Sequence, residues 1–368
     1  MKTLSFSDRE IFWPPADELT EAAERIRARL GDWPAATVRW RICLTAPDEP
    51  QAGDLIVIAE EKGDAPGHAG SRDAWLVQGA GVIEATAGGA TLRLGSARYA
   101  LEGALAEDWL AALAGFLDCG FDPHDALVLA LAWRDGDETR ADDAWPTDLA
   151  RFPRIRGLPA APETPFGRCP DRLGLYPVLP SADWVESVLD MGVKTTQLRL
   201  KKASPDVLAA EIARCAAAGR KHDAQVFIND HWREAVAAGA YGVHLGQEDV
   251  HTADLGAIAS AGLRLGLSTH GYYEMLTALH FRPSYIALGA VFPTTTKVMP
   301  TAPQGLARLA RYVRLFDGVV PLVAIGGIGG DVLTDVLATG VGSAAVVRAV
   351  TEAADPAVAV VALQQKFT

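Results

Sequence analysis

The sequence predicts an α/β protein in two parts, a C-terminal (β/α)8 TIM barrel over residues 173–368 and a smaller α/β or α+β domain over residues 1–150. Three observations predict it. Eight short apolar runs alternate with helical patterns in the C-terminal part. Apart from the second, the runs are mainly apolar rather than apolar at every second position, as expected of parallel strands covered on the outside. Between the two parts stands "RFPRIRGLPAAPETPFGRCPDR", residues 151–172, dense in Pro, Gly and Arg and without helical or strand period, which reads as a linker.

The eight runs are "LGLYPVL", "KTTQLRL", "AQVFIN", "GVHLG", "LRLGLST", "YIALGAV", "PLVAIGG" and "SAAVVR". Segments such as "PDVLAAEIARCAAAGRKH" and "YYEMLTALHF" carry apolar residues at helical spacing between them. Eight units close a barrel, although about 195 residues is short for one. An open doubly wound sheet would need a glycine fingerprint after its first strand, and none stands there. In the first part, "DELTEAAERIRARLG" is an amphipathic helix with Asp17 as its expected cap. "DLIVIAEE", "AWLVQGAGVIEA" and "ATLRLGS" read as strands, and "EDWLAALAGFLDCGFDPHDALVLALAWRDG" as two helices broken at Gly120 and Pro123.

Composition narrows the function. A formal charge of -12 argues against nucleic acid or an anionic membrane as partner, so anions would be met only in a local basic site. Cys43, Cys119, Cys169 and Cys215 are widely spaced, with no CxxC pair, and read as reduced thiols. No apolar run reaches membrane-spanning length and "MKTLSFSDRE" lacks the apolar core of a signal peptide, so the expectation is a cytoplasmic protein. A homo-oligomer is compatible with the sequence.

Reacting groups of a closed α/β barrel gather at the carboxyl ends of its strands, where the loops converge. The second run ends in Gln197, Arg199 and Lys201, whose spacing of two puts them on one side of the strand. The third ends in Asn229 and Asp230, and the fourth contributes His244 and, in its loop, Asp249. Ser268, Thr269 and His270 follow the fifth, and "FPTTTK" brings Thr294, Thr295, Thr296 and Lys297 after the sixth. The seventh closes on Gly326 and Gly327, the eighth on Val347 and Arg348.

Two cations side by side on a buried strand repel unless an anion joins them, so the second run reads as a polyanion site with Lys297 as third cation. Helix capping explains Asn229 or Asp230 alone, not the gathering of Arg, Lys and Asp on one barrel face. Two carboxylates beside these cations are either salt-bridge partners or ligands of a divalent ion. Oxygen ligands without clustered His or Cys favour Mg2+, which commonly takes one or two carboxylates plus substrate phosphates. The glycine pair and the threonine hydroxyls imply a second phosphate position, because loops after the last strands recurrently serve that purpose. Two phosphate-bearing groups in one barrel suggest a joining reaction in which pyrophosphate leaves.

"QLRLK", "FINDHWREAVAAGAYGVHLGQEDV", "LGLSTHG", "YIALGAVFPTTTK" and "VAIGGI" resemble, in order and interval, the thiamine phosphate synthase family over residues 173–365. The resemblance implies a transferase of thiamine biosynthesis that joins hydroxymethylpyrimidine diphosphate to thiazole phosphate, yielding thiamine phosphate and pyrophosphate. It places Gln197, Arg199, Lys201, Asn229 and Lys297 around the pyrimidine diphosphate, and Ser268 at the pyrimidine or its leaving group. It gives Asp230 and Asp249 to Mg2+, and Thr294, Thr295, Thr296, Gly327, Val347 and Arg348 to the thiazole phosphate. Arg199, Lys201, Ser268 and Lys297 are its catalytic set; His244 matches a family histidine with a core or supporting role, and His231, His251 and His270 read as exposed or structural. The chain departs from the family at Leu200, where Glu is usual, and at Arg348, where Ser is usual.

The implied mechanism is dissociative, with the cations and Mg2+ stabilising the departing pyrophosphate, and no protein general base is required. A thiazole tautomerase on the same barrel is a rival, opposed by retention of Arg199, Lys201, Asp230 and Asp249 together. A barrel that binds thiamine intermediates without turnover is another, discriminated by pyrophosphate release. In the first part, "GFDPHDALVLALAWRDGDE" and "AWPTDLARFP" resemble the end of a hydroxymethylpyrimidine kinase, but the Gly-Thr-Gly-Cys motif expected near "EGALAEDW" is missing. That implies a degenerate remnant.

Overall fold

Alternation of apolar strands with helices resolves into two units, Met1–Leu158 and Pro159–Thr368. The computed structural model describes residues 10–34, 36, 38–59, 69–295 and 301–367. In the first unit a seven-stranded sheet runs in sequence order: β1 (Phe12–Trp13), β2 (Arg41–Cys43), β3 (Asp54–Ala59), β4 (Gly81–Thr86), β5 (Gly89–Leu94), β6 (Ala97–Glu102) and β7 (Arg154–Ile155). β1 to β4 are parallel and β4 to β7 antiparallel. Helices Trp109–Asp118 and Pro123–Ala132 are apolar on nearly every side and almost wholly buried, as an all-round apolar helix must be.

Several expectations for this unit are corrected. "AWLVQGAGVIEA" is not one strand: it ends the helix Ala69–Val77 and then begins β4. A short apolar run does not distinguish helix from buried strand, and Gly79, at φ +90, turns the chain between the two. Asp17 lies in the first turn of the helix Asp17–Ala28, behind an extended Ala16, and makes no cap hydrogen bond. A carboxylate there favours the helix end by charge alone. β1, β2, β6 and β7 went unseen because three are only two or three residues long and β6 carries charges at both ends.

The second unit closes a parallel barrel: β8 (Gly174–Leu179), β9 (Thr195–Leu198), β10 (Gln225–Asn229), β11 (Gly242–Leu245), β12 (Arg264–Thr269), β13 (Tyr285–Leu288), β14 (Leu322–Ile325) and β15 (Ser343–Val346). β15 pairs back onto β8, with Val346 opposite Pro177. The interior holds Tyr176, Val178, Phe227, Tyr285, Ala287, Val323 and Ala345. Two glycines make room for its rings: a Cβ at Gly242 would run into Phe227, and one at Gly266 into Tyr285. Helix starts follow local chemistry, as where Ser204 Oγ accepts from Val207 N ahead of the helix Pro205–His222, with Pro205 in its first turn.

Residues 151–172, expected to link the two parts, divide between them. Arg151 pairs with Asp137 at 3.2 Å and β7 joins the first sheet. From Pro159 onward the chain is tied to the barrel. His280 Nε2 meets Pro159 O at 2.7 Å, Arg282 donates to Pro162 O, and Ser284 Oγ donates to Gly167 O at 2.6 Å. A segment without periodicity still has carbonyls to satisfy, and barrel side chains satisfy them here. No helix among the described residues is long and apolar enough to cross a membrane.

Candidate active site

A cavity of about 460 Å³ opens at the carboxyl ends of the barrel strands. Gln197, Arg199, Lys201, Asn229, Asp230, Asp249, Ser268, Thr294, Gly327, Val347 and Arg348 line it. Thr295, which is exposed, is not among the residues that line it. Thr296 and Lys297 lie outside the described residues.

One side of the mouth is charged. β9 ends at Leu198, so Arg199 and Lys201 follow the strand rather than sit within it. Half-buried Arg199 is pulled down from its ordinary value by burial, with the charge of Asp230 opposing. Lys201, 55% exposed, holds Asp230 Oδ2 at 3.3 Å. Asp230 stands at φ +62, a left-handed conformation that an aspartate adopts at some cost. Its place is secured from behind: Asp230 N donates to His244 O at 3.0 Å. Asn229 Nδ2 donates to Asp230 Oδ1 at 2.6 Å and to His244 O at 3.3 Å. Neither residue caps the next helix, Trp232–Ala237, which makes no side-chain cap bond. Asp249 does serve its own turn, accepting from Gly246 N at 3.1 Å. Burial pushes its carboxyl up, and the charges of Asp230 and Glu248 add to that, while Gly246 N and Lys201 pull the other way.

The floor is neutral. Gln197 Nε2 donates to Tyr176 OH at 3.1 Å, and Tyr176 OH lies 2.8 Å from Tyr285 OH. Tyr285 OH is 2.7 Å from His244 Nδ1, and His244 Nε2 is 2.8 Å from Ser268 Oγ. Opposite the charged side, Gly326 (φ +102) and Gly327 (φ +67) carry the chain past the loop after β13. A Cβ on Gly326 would strike Ala290 and one on Gly327 would strike Pro293 O, so both glycines serve close packing as well as access.

The model of the family described as thiamine monophosphate synthase matches residues 175–350. A thiamine-phosphate synthase from Neisseria meningitidis serogroup A / serotype 4A is 61% identical over 192 residues, 52% of this chain and 93% of that protein. The chain belongs to the thiamine-phosphate synthase family. Another member, from Pectobacterium atrosepticum, is 56% identical over 52% of this chain and 90% of its own length. A solved thiamine phosphate pyrophosphorylase from Pyrococcus furiosus aligns at 31% identity, with TM-score 0.47, over 54% of this chain and 96% of that one.

Sequence reasoning missed several residues that line the cavity of this family member. His270, gathered with Ser268 and Thr269 at the fifth strand end but read as exposed or structural, lines the cavity, its backbone N and Nδ1 both held by Glu274 Oε2, at 2.8 and 2.7 Å. Its place straight after Thr269 at a strand end was the available signal. Glu248, in the short helix Gln247–Val250, and Asp331, in a turn, also line it, and no local pattern announces that they face inward. Tyr176 and Tyr285 lie beneath the floor and look from sequence like ordinary core aromatics.

Among the described residues no group of three or more His, Cys, Asp or Glu is arranged to hold a metal by itself. The donor set still fits Mg2+. Two oxygen donors, Asp230 and Asp249, face one cavity, and burial and like charge already disfavour ionised Asp249. A hard cation relieves both and takes its remaining ligands from phosphate and water.

Proposed function

We propose that the barrel joins hydroxymethylpyrimidine diphosphate to thiazole phosphate, giving thiamine phosphate and pyrophosphate. One observation carries the reading: Arg199, Lys201, Asp230 and Asp249 gather in one cavity, and the ion pair among them, Lys201 to Asp230 at 3.3 Å, is exposed. Asp230 and Asp249 would hold Mg2+, which supplies positive charge to a departing pyrophosphate. Arg199 and Lys201 bind the same diphosphate and stabilise charge as it grows on the bridging oxygen. Arg199 is half-buried and costs energy while unpaired, so an anion gains more from it than from an exposed cation. Lys201 leaves Asp230 easily, since an exposed pair is worth about 0–1 kcal/mol.

Gln197, Asn229 and Ser268 are neutral groups suited to a heteroaromatic ring, and Val178 and Ile325 line the same cavity. Asn229 has a second task, because its amide nitrogen is committed to Asp230. Thr294, Gly327, Val347 and exposed Arg348 border the side away from the carboxylates and suit the thiazole phosphate. Held by that tail, the thiazole nitrogen can approach the carbon from which pyrophosphate leaves. The carbon–oxygen bond breaks, pyrophosphate takes the electron pair, and the nitrogen lone pair forms the new bond. No side chain needs to remove a proton.

The partners are small molecules, and every residue assigned to this chemistry lies in the second unit. Pyrophosphate release measured with each substrate omitted in turn tests the reading. Release should require both substrates and Mg2+ and stop with EDTA. Release from the pyrimidine diphosphate alone, or full activity in EDTA, would overturn it. Binding of either substrate without any turnover would favour the non-catalytic alternative.

A further inference from the structure

The cavity floor ends in two polar groups, Gln197 and Ser268, joined underneath by three side chains that no step above uses. Tyr176 and Tyr285 are each 1% exposed and His244 5%. The links from Gln197 to Ser268 measure 3.1, 2.8, 2.7 and 2.8 Å. They cross the barrel from β9 through β8 and β13 to β11 and β12. The fold makes room for this path: Gly266 carries no Cβ where one would strike the Tyr285 ring and hydroxyl. Burial pushes both phenols well above their ordinary range, so each keeps its proton.

We propose that Tyr176, Tyr285 and His244 are positioning residues that hold the Ser268 hydroxyl as a hydrogen-bond donor to the bound pyrimidine substrate. Counting protons sets the direction. The Gln197 amide nitrogen only donates, so it fills a lone pair of Tyr176. The single proton of Tyr176 then has Tyr285 oxygen as its acceptor. Were Tyr285 to donate to Tyr176 instead, the Tyr176 proton would be buried without an acceptor, which costs about 1–3 kcal/mol. Tyr285 therefore donates to His244 Nδ1. His244 carries its proton on Nε2 and donates it to Ser268 Oγ. The serine proton is left to point into the cavity, toward an acceptor such as a ring nitrogen or a phosphate oxygen. At the other end Gln197 keeps its carbonyl oxygen for the cavity. One floor thus offers an acceptor and a donor at fixed places, which suits a ring bearing both an amino group and a ring nitrogen. The proposal rests on the reading that Ser268 contacts the pyrimidine substrate.

Nitrogen-15 NMR of the ligand-free full chain, labelled at histidine and assigned through His244→Gln, reads the tautomer directly. The proton should sit on Nε2 of His244. A proton on Nδ1 overturns the proposal, and this measurement depends neither on a substrate nor on a variant that must stay active. Tyr285→Phe should mix the two tautomers and lower kcat/KM for the pyrimidine diphosphate on the order of tenfold, the size of one hydrogen bond. KM for the thiazole phosphate should not move. In a Ser268→Ala background, Tyr285→Phe should cost nothing further, because the chain acts through that hydroxyl. An equal loss in both backgrounds marks Tyr285 as merely structural and overturns the proposal. Full activity of Ser268→Ala alone removes the reading of Ser268 on which the proposal rests, and overturns it on that separate ground.

Discussion

Two pairs of adjacent parallel strands each bring an arginine to an aspartate, with opposite results. In the first unit Arg41 opens β2 and Asp54 opens β3, directly opposite in register. Arg41 Nε and Nη2 grip the two Asp54 oxygens at 2.8 and 3.0 Å, and Gln51 N adds a third bond at 3.1 Å. That grip raises Arg41 above its ordinary value. In the barrel Arg199 follows β9 and Asp230 follows β10, and no such fork forms; burial lowers Arg199 instead. The difference lies in which end of the strands carries the charges. At the amino ends the pair has closed on itself and holds the sheet. At the carboxyl ends, where eight loops converge, the charges stay incompletely compensated and available to a ligand.

The largest effect expected from that contrast is on turnover. Lys201→Ala should lower kcat by about 100-fold, since a cation on the leaving group matters most as charge develops. Its Tm should stay within about 2 °C of the parent, because an exposed ion pair contributes little to stability. Steady-state kinetics with each substrate varied checks the first point and calorimetry the second. An effect confined to KM for thiazole phosphate would put Lys201 on the wrong side of the cavity.

Asp54→Ala should do the reverse. Asp54 is 2% exposed, and removing it leaves a mostly buried guanidinium without its fork. Breaking a buried pair from one side costs about 3–5 kcal/mol, toward the low end here because Glu10 remains 3.4 Å from Arg41. Denaturant unfolding should show that loss in the first unit, while pyrophosphate release per folded barrel is unchanged at low temperature. A fall in kcat with no loss of stability would dissolve the contrast.

How far each region could be read from sequence follows from the same physics. All eight barrel strands were legible, because short apolar runs such as "AQVFIN" and "YIALGAV" recur between helical patterns, and that alternation settles what one run alone leaves open. Residues at strand ends were legible too, since β9 to β12 deliver Arg199, Asn229, His244 and Ser268 to one face by register alone. What escaped was anything requiring the third dimension. Tyr176 and Tyr285 stand 109 residues apart, and only barrel closure brings their hydroxyls to 2.8 Å. In the first unit the sheet is mixed and several strands are very short, so hydrophobic period carries little information there.

The smallest predicted effect separates what Asp249 does for the fold from what it does for a ligand. Burial raises its carboxyl above the value of 3.8 it has when exposed, and the charge of Asp230 adds to this. A carboxyl that binds its proton more tightly folded than unfolded contributes stability below the unfolded value. That contribution is lost as the pH rises through the folded value. At neutral pH, then, ionised Asp249 is a net burden on the metal-free barrel. Asp249→Asn removes the charge and keeps an oxygen to accept from Gly246 N. In EDTA at pH 7 this variant should melt about 1–3 °C higher than the parent, a gain of up to about 1 kcal/mol. The gain should vanish in acid, where the parent's carboxyl is already protonated. Added Mg2+ should raise the parent's Tm and leave that of the variant where it was. Turnover of the variant should fall with its loss of Mg2+ response. A variant less stable than the parent in EDTA would make Asp249 a helix-turn residue in the same structural sense as Asp54, and the carboxyl ends of the barrel strands would then hold one ligand fewer.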